Sequence, residues 1–311
     1  MNVKIVHKFI RPAVKSFERL PMNVKTLLLQ LVDLVLFPRT LGEIRRVKKL
    51  QKLGARPAFQ LNRDTGLAKF NVDDSFTNKA IAFSRETLHK YLQNGDEKSN
   101  SKDYLRQIFN SGMLTSDSKF LLDWATSPEV LLPVSSYFEK YPLLHDISVF
   151  YSPPTSEIQD SFKGSQLFHM DGGGTQCVKL WLLCEDVALE NGPTVLVPAA
   201  ISQSIAKELG YEPGTKISDS TVGNVDDSVF VATGPAGSWF ATDTDRCLHY
   251  GSRTGKSSGR LVLMFHFVEH NSTYYLPVFS QNYWASTKKI SKELLSGSST
   301  YAKLSLRKRT V

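Results

Sequence analysis

The sequence has few cysteines and no long hydrophobic run. Its three cysteines, Cys177, Cys184 and Cys247, are odd in number and lack the C-x-x-C spacing of a zinc or redox pair. This pattern argues against a disulfide framework and favours a reducing compartment such as the cytoplasm. No run reaches the roughly 18 to 20 apolar residues of a membrane-spanning helix. We also expect no secretory signal, because no compact apolar core precedes a small-residue cleavage site.

Negative charge is scarce at the start of the chain. Residues 1–60 carry 13 Lys and Arg against three acids, so the excess of +8 in the whole chain comes from this segment and the remainder sums to about −2. Over residues 1–20, apolar and basic side chains fall on opposite faces of a helix, which Pro12 would kink or divide. We expect residues 1–60 to form a basic, amphipathic helical appendage that either packs on the rest of the chain or makes a peripheral contact with anionic membrane.

Nucleic acid is not an expected partner, because the basic stretch lacks interleaved aromatic residues and any known binding motif. The rest of the chain divides into a domain over residues 61–300 and a short basic tail over residues 301–311. The polar segment "LQNGDEKSNSKD", residues 92–103, predicts a surface loop.

Helix signals give way to strand signals near residue 141. Ser116 precedes "KFLLDWA", and the Ser127-Pro128 pair precedes "EVLLPVSSYFEKY", so each stretch has a capping hydroxyl. From "HDISVFYSPP" onward, short β-rich runs are separated by Gly, Pro, Asp and Ser. The predicted strands are Val178–Cys184, Thr194–Val197, Val229–Thr233, Gly237–Thr242 and Leu261–Val268. This order predicts a sandwich or barrel, mainly β with flanking helices (α+β), rather than βαβ units.

The stretch "FHMDGGGTQC" places a histidine and a carboxylate two positions apart. In a strand, His169 and Asp171 project to one face and Met170 to the other. Taken alone, this pattern is common and usually marks a hydrogen-bonded turn. His249 comes much later in the chain, at the end of a predicted strand, and Arg260 stands eleven positions after it. Two histidines and one carboxylate form the ligand set of non-haem Fe(II) oxygenases.

Several of these stretches resemble the phytanoyl-CoA dioxygenase family of Fe(II)/2-oxoglutarate-dependent oxygenases. The resemblance covers roughly residues 131–268 and rests on "YPLLHDISVFYSPP", "FHMDGGG", "CVKLWLLCEDVALENGPTVLVPAA" and "GSWFATDTDRCLHYGSRTGKSSGRLVLMF". It implies a double-stranded β-helix (jelly-roll, cupin-like) core. It also implies that His169, Asp171 and His249 bind iron and that Arg260 binds the distal carboxylate of 2-oxoglutarate. Members often continue "VLVP" into Gly-Ser-His, whereas this chain has Ala-Ala-Ile-Ser, which weakens any transfer of substrate.

Two further residues are candidates for the cosubstrate pocket. Period-two counting places Lys179 and Trp181 on one face of their strand. If that face points inward, Lys179 is a buried cation that requires an anionic partner. The alternatives stay open: Lys179 as a solvent-facing sheet residue, and Trp181 as core packing. His266 and His270 are interpreted as structural, and Gly172–Gly174 as an approach loop, because no helix follows them.

The resemblance implies an enzyme that uses Fe(II), 2-oxoglutarate and O2 to hydroxylate a C–H bond of a small-molecule or lipid-like substrate. One alternative is a jelly-roll binding module without turnover. A second is a halogenase, which would need a small residue in place of Asp171. The identity of the substrate is not encoded in any motif, and specificity is expected in loops such as residues 210–227.

Overall fold

The computed structural model describes residues 24, 45, 47–94, 102–155, 162–172, 175–225, 228–256 and 258–269. Most of the basic N-terminal segment, residues 95–101 of the predicted polar loop, Gly173 and Gly174, His270 and the tail at residues 301–311 lie outside the described residues. No helix within the described ranges is long and apolar enough to cross a membrane.

The helices flank the β-rich region. Their bounds are α1 Asp74–Gln93, α2 Lys119–Ala125, α3 Pro128–Phe138, α4 Ala199–Leu209 and α5 Asp219–Val222, and residues 47–51 are also helical. Both helices predicted before residue 141 are present, with Pro128 in the first turn of α3. The predicted caps differ. Ser118, not Ser116, precedes α2, and its hydroxyl accepts a hydrogen bond from the Thr115 amide instead of capping the helix. The Ser127 side chain makes no cap either.

The strands form two antiparallel sheets. Their bounds are β1 Leu67–Phe70, β2 Arg106–Phe109, β3 Leu143–Ser152, β4 Cys177–Leu183, β5 Val195–Leu196, β6 Phe230–Val231, β7 Trp239–Thr242, β8 His249–Tyr250 and β9 Arg260–Val268. The large sheet has the order β1-β7-β4-β9-β3-β2, and the small sheet has the order β6-β5-β8. All five predicted β-rich runs contain a strand, shifted or shortened by a few residues at their ends.

The connections between the sheets give the jelly-roll topology. Strands β3, β4, β7 and β9 lie in the large sheet and β5, β6 and β8 in the small sheet, so the chain crosses between the sheets after β4, β6, β7 and β8. Between β3 and β4, His169 pairs with His249 and extends the small sheet by one more short segment. Four strands of the large sheet, β3, β9, β4 and β7, and the four segments of the small sheet are wound in this order into a double-stranded β-helix. The prediction of a mainly β fold with a jelly-roll core and flanking helices is therefore confirmed.

The two faces of the large sheet have different partners. On β4, Leu180 and Leu182 belong to the main hydrophobic core, which also contains residues of α1, α2 and α3. Trp181 packs with Phe240 and Val262 on the other face, toward the small sheet. This strict alternation is what an antiparallel sheet buried on both sides requires. Leu50 and Phe59 join the main core, so the end of the segment predicted as an appendage packs against the β-domain.

Candidate metal and cosubstrate site

Two histidines are brought together by strand pairing in the small sheet. The His169 amide donates to the His249 carbonyl at 3.0 Å, and the His249 amide donates to the His169 carbonyl at 2.9 Å. Their neighbours Phe168, Met170 and Leu248 point to the opposite side and form a separate apolar cluster. Because side chains alternate along a strand, both imidazoles then face the interior between the sheets. Their ring centroids are 4.2 Å apart.

Asp171 completes a group of three donor atoms. Its Oδ1 lies 3.8 Å from His169 Nε2 and 3.9 Å from His249 Nε2. All three donor atoms lie within 4.8 Å of one another. A hydrogen bond from the Asp171 amide to the Thr244 carbonyl, 3.0 Å long, fixes the backbone at this point. Gly172 follows in the left-handed region at φ +70°, where a Cβ would come within 3.0 Å of the Pro213 carbonyl carbon. Glycine is therefore required at the turn after the carboxylate.

The protonation states of these side chains suit metal coordination. Each Nδ1 lies at hydrogen-bond distance from a backbone carbonyl, 2.8 Å to Leu167 for His169 and 3.0 Å to Cys247 for His249. A carbonyl only accepts, so each Nδ1 carries the proton and each Nε2 presents its lone pair to the site. Burial, aided by the neighbouring His249, lowers the pKa of His169 to about 2. Burial likewise lowers the pKa of His249 to about 4. Both rings are neutral at neutral pH, the form that can bind a metal.

Lys179 is the partner of the Asp171 carboxylate. Its Nζ lies 2.6 Å from Asp171 Oδ2, and both side chains are largely buried. Burial alone would raise the pKa of Asp171, but Lys179 and the two histidines outweigh it and hold that pKa well below its usual range. Lys179 thus faces the interior and not the solvent. The anionic partner that a buried lysine requires is the carboxylate of Asp171, which is also a candidate metal ligand. The Oδ2 atom is held by Lys179, and Oδ1 is turned toward the histidines.

Arg260 is a buried cation at the start of β9, 4% exposed. Its terminal nitrogens donate to the hydroxyls of Thr194 at 3.0 Å and Ser252 at 3.1 Å, and its Nε is buried without a partner among the described residues. Burial lowers the pKa of Arg260 to about 10. A buried guanidinium with only hydroxyl neighbours among the described residues is incompletely compensated, and a bidentate carboxylate would compensate it.

The remaining candidates line the same interior. Trp181 donates from Nε1 to Thr242 Oγ1 at 2.9 Å and stacks on Phe240, and its ring centroid lies 5.9 Å from Lys179 Nζ. It therefore combines packing with a position on the inner wall beside Lys179. His266 pairs with Lys179 across the sheet and lies edge-on to His145 at 4.9 Å. Among the described residues, the groups of metal-ligating atoms that lie close together do not include His266.

Several residues of the site gave no signal in the sequence. Thr194 and Ser252 hold the guanidinium of Arg260, and Ser252 is a non-glycine residue at φ +62°. Ser252 stands three positions after His249, a proximity that could have singled it out. Asp243 is fully buried and accepts hydrogen bonds from Tyr137 Oη at 2.7 Å and from the Cys177 amide at 3.1 Å. It thereby ties the start of β4 to the segment that leads to His249.

A second group of possible ligands shares Asp171 with the first. The Asp171, Cys177 and Asp245 donor atoms also lie within 4.8 Å of one another. Burial and the nearby carboxylates raise the pKa of the Cys177 thiol well above its usual range. The thiolate, not the thiol, binds metals. The two-histidine group is therefore the better metal site.

Comparisons with known proteins give distant structural similarities. No protein-family model and no curated protein matches the sequence. The carbocyclase SnoK, described as non-heme and alpha-ketoglutarate dependent, from nogalamycin biosynthesis, is 16% identical, with a TM-score of 0.47 over 67% of this chain and 81% of that chain. EctD from S. alaskensis in its apoform is 13% identical, with a TM-score of 0.46 over 66% of this chain and 74% of that chain.

HygX from Streptomyces hygroscopicus, with nickel and 2-oxoglutarate bound, is 14% identical, with a TM-score of 0.43 over 67% of this chain and 84% of that chain. Similarity at this level transfers neither an activity nor a substrate. The chemistry of the site follows from its own side chains.

Proposed function

We propose that the protein is a non-haem Fe(II)/2-oxoglutarate-dependent dioxygenase that hydroxylates a C–H bond of a small-molecule or lipid-like substrate. In the reaction, one oxygen atom of O2 enters the substrate as a hydroxyl group. The other enters 2-oxoglutarate, which loses CO2 to become succinate. The observation that supports this most directly is the group of two neutral histidines and one ionised carboxylate, together with a buried arginine that lacks a carboxylate partner among the described residues. The resemblance to the phytanoyl-CoA dioxygenase family is part of the proposal.

The three donor atoms suit Fe(II), which accepts imidazole nitrogen and carboxylate oxygen and has open positions when three protein ligands occupy one face. When bound, the iron would supply the activation of O2 and hold the keto-acid end of 2-oxoglutarate. His169 and His249 would bind the iron through Nε2, and Asp171 through Oδ1. Lys179 keeps Asp171 ionised and orients its carboxylate, which is the role of a partner in the outer shell of a metal site.

Arg260 would bind the distal carboxylate of 2-oxoglutarate. Its planar guanidinium is held in place by the Thr194 and Ser252 hydroxyls, so little side-chain freedom is lost when the carboxylate arrives. Trp181 and Phe240 form an apolar wall on the same face of the large sheet. Such a wall excludes water and strengthens the charge-assisted pair.

The experiment is anaerobic addition of Fe(II) and 2-oxoglutarate, followed by oxygen. We expect a weak visible charge-transfer band first, then succinate and CO2. Asp171→Ala should abolish the band and succinate release, because it removes one of three ligands. Asp123→Ala, which removes an exposed carboxylate paired with Lys119 on α2, is the matched control and should retain both. Succinate release at the wild-type rate from Asp171→Ala would refute the metal assignment.

The same experiment separates the alternatives. A jelly-roll binding module without turnover would give no band and no succinate. A halogenase requires a vacant ligand position for halide, which the Asp171 carboxylate occupies.

A further inference from the structure

Lys216 lies opposite His169 on the neighbouring segment of the small sheet. Phe168 and Ile217 form an antiparallel bridge, with the Ile217 amide donating to the Phe168 carbonyl at 3.0 Å. In an antiparallel pair, this register places residue 216 across from His169. Ile217 packs in the same apolar cluster as Phe168. Because neighbouring side chains alternate, Lys216 is directed to the side of His169 and the candidate metal site.

The segment that carries Lys216 is held in place along its length. The Gly214 amide donates to the Met170 carbonyl at 2.9 Å. Tyr211 Oη accepts from the Met170 amide at 2.9 Å and donates to the Thr215 carbonyl at 2.8 Å. The backbone around Lys216 is therefore fastened to the segment that contains His169 and leads to Asp171. The placement of this ammonium group is built into the fold and does not depend on a free loop.

The ammonium of Lys216 interacts with the site electrostatically but has no anionic partner among the described residues. Within the described ranges it makes no hydrogen bond or ion pair, while its charge acts on His169, His249 and Asp171. Residue 216 is still exposed to solvent, as a group at the mouth of a site would be. Partial burial, with repulsion from Lys102 and Lys179, lowers the pKa of Lys216 to about 8. Lys102, whose charge acts on Lys216, donates to Ser165 Oγ at 3.3 Å.

The charges of the site do not balance once the expected ligands are added. Lys179, Lys216 and Arg260 are cations, against the carboxylates of Asp171 and the buried Asp245, while the charge of Asp243 is offset by Arg246. A divalent metal adds two positive charges, and 2-oxoglutarate adds two negative charges, so the two cancel. Positive charge remains, and Lys216 is the cation at the mouth without a protein partner among the described residues. Such an excess attracts an anionic ligand and disfavours a cationic one.

We propose that the substrate of this site carries an anionic group, a carboxylate or a phosphate, that is bound by Lys216 at the mouth, with Lys102 adding to the attraction. This inference rests on the proposed function and specifies its substrate class. Lys216 is then a residue that determines substrate specificity. It lies in the segment 210–227, in which specificity was expected from the sequence although no motif identified the substrate. A lysine is a mobile point charge that accommodates either group, so the two anions are compared directly in the test.

The test uses the anaerobic protein saturated with Fe(II) and 2-oxoglutarate, with the visible band as the readout. The probes are a linear fatty carboxylate and its primary amide, and an alkyl phosphate and its parent alcohol. We expect at least one anionic probe to shift the band and its neutral counterpart to bind about tenfold more weakly or worse. Binding should weaken as salt is added. A probe that displaces 2-oxoglutarate from Arg260 would abolish the band instead of shifting it.

Lys216→Glu should weaken anion binding about tenfold or more, whereas Lys216→Arg should stay within about threefold of wild type. Lys207→Glu makes the same charge change at an exposed position on α4 and should leave binding unchanged. The proposal is overturned if neither anion shifts the band, if the neutral probes bind as well as the anions, or if Lys207→Glu and Lys216→Glu weaken binding equally. Failure of the band to form at all would refute the proposed function itself.

Discussion

Replacing Arg260 with methionine should separate a cosubstrate-binding arginine from a structural one. The guanidinium is 4% exposed and bonded to two hydroxyls, Thr194 and Ser252. A buried cation without a carboxylate partner contributes little to folding, and an apolar side chain of similar length is often neutral or stabilising in its place. We therefore expect Arg260→Met to unfold, without 2-oxoglutarate, within a few degrees of the wild-type protein.

The same substitution should remove most of the affinity for 2-oxoglutarate. Truncating one partner of a buried, charge-assisted pair costs about 2 to 5 kcal/mol, which is about 30-fold to several thousand-fold in the dissociation constant. When 2-oxoglutarate is present at about 100 times its dissociation constant for the wild-type protein, binding raises the free energy of unfolding by about 2.7 kcal/mol. For a domain of about 150 to 250 residues this is a rise in Tm of about 5 to 10 °C. At the same 2-oxoglutarate concentration, Arg260→Met should show about a third of this rise at most, and almost none if the loss of affinity is several thousand-fold.

The assay is thermal unfolding with and without 2-oxoglutarate, with Mn(II) as an oxygen-stable substitute for iron. Arg253→Met is the matched control, because Arg253 already has a bidentate carboxylate partner in Asp219, at 2.7 Å to each oxygen. That variant should lose stability without ligand and still gain stability from 2-oxoglutarate. An equal gain in Arg260→Met and wild type would refute the assigned role. A large loss of stability in ligand-free Arg260→Met would show that the guanidinium is structural.

Three other predictions concern charge. Lys179→Met should raise the pKa values of Asp171 and His249, because Lys179 lowers both of them. Protons should then displace Mn(II) at a higher pH than in the wild-type protein. An unchanged pH midpoint in a Mn(II)-binding titration would contradict this. Burial raises the pKa of Asp243 to about 6, so the folded state binds the proton of this carboxyl group more tightly than the unfolded state does. The free energy of unfolding should therefore fall by about 2 to 3 kcal/mol as the pH rises from about 4 to 6. In urea unfolding, Asp243→Asn should lack this loss, and a parallel pH dependence in both proteins would exclude it. Because of its basic N-terminal segment, the full chain should float with anionic vesicles at low salt and dissociate from them at high salt. A chain that begins at Pro21 should float much less. Equal flotation of the two proteins would place the membrane contact elsewhere in the chain.

Local patterns in the sequence determined the strands and the candidate ligands. The alternation in "CVKLWLL" predicts which residues share a face of the strand, because side chains alternate in every strand. The spacing of His169 and Asp171 places both side chains on one face of a strand for the same local reason, which suits two ligands but does not by itself distinguish them from a hydrogen-bonded turn. The spacing of His249 and Arg260 from this pair added the remaining candidates, but only through resemblance to a family, since no local rule brings such distant parts of the chain together.

The tertiary structure decided which residues meet. Pairing of His169 with His249 depends on the register of two short segments in the small sheet. The position of Lys216 depends in the same way on the pairing of Phe168 with Ile217. Lys179 could have faced solvent or the interior, and only the assembled large sheet placed its ammonium on Asp171. Thr194 and Ser252 meet Arg260 in the same way, from separate loops. Periodicity is a property of neighbouring residues and is visible in the chain, whereas register and the partners of buried charges depend on contacts between distant segments.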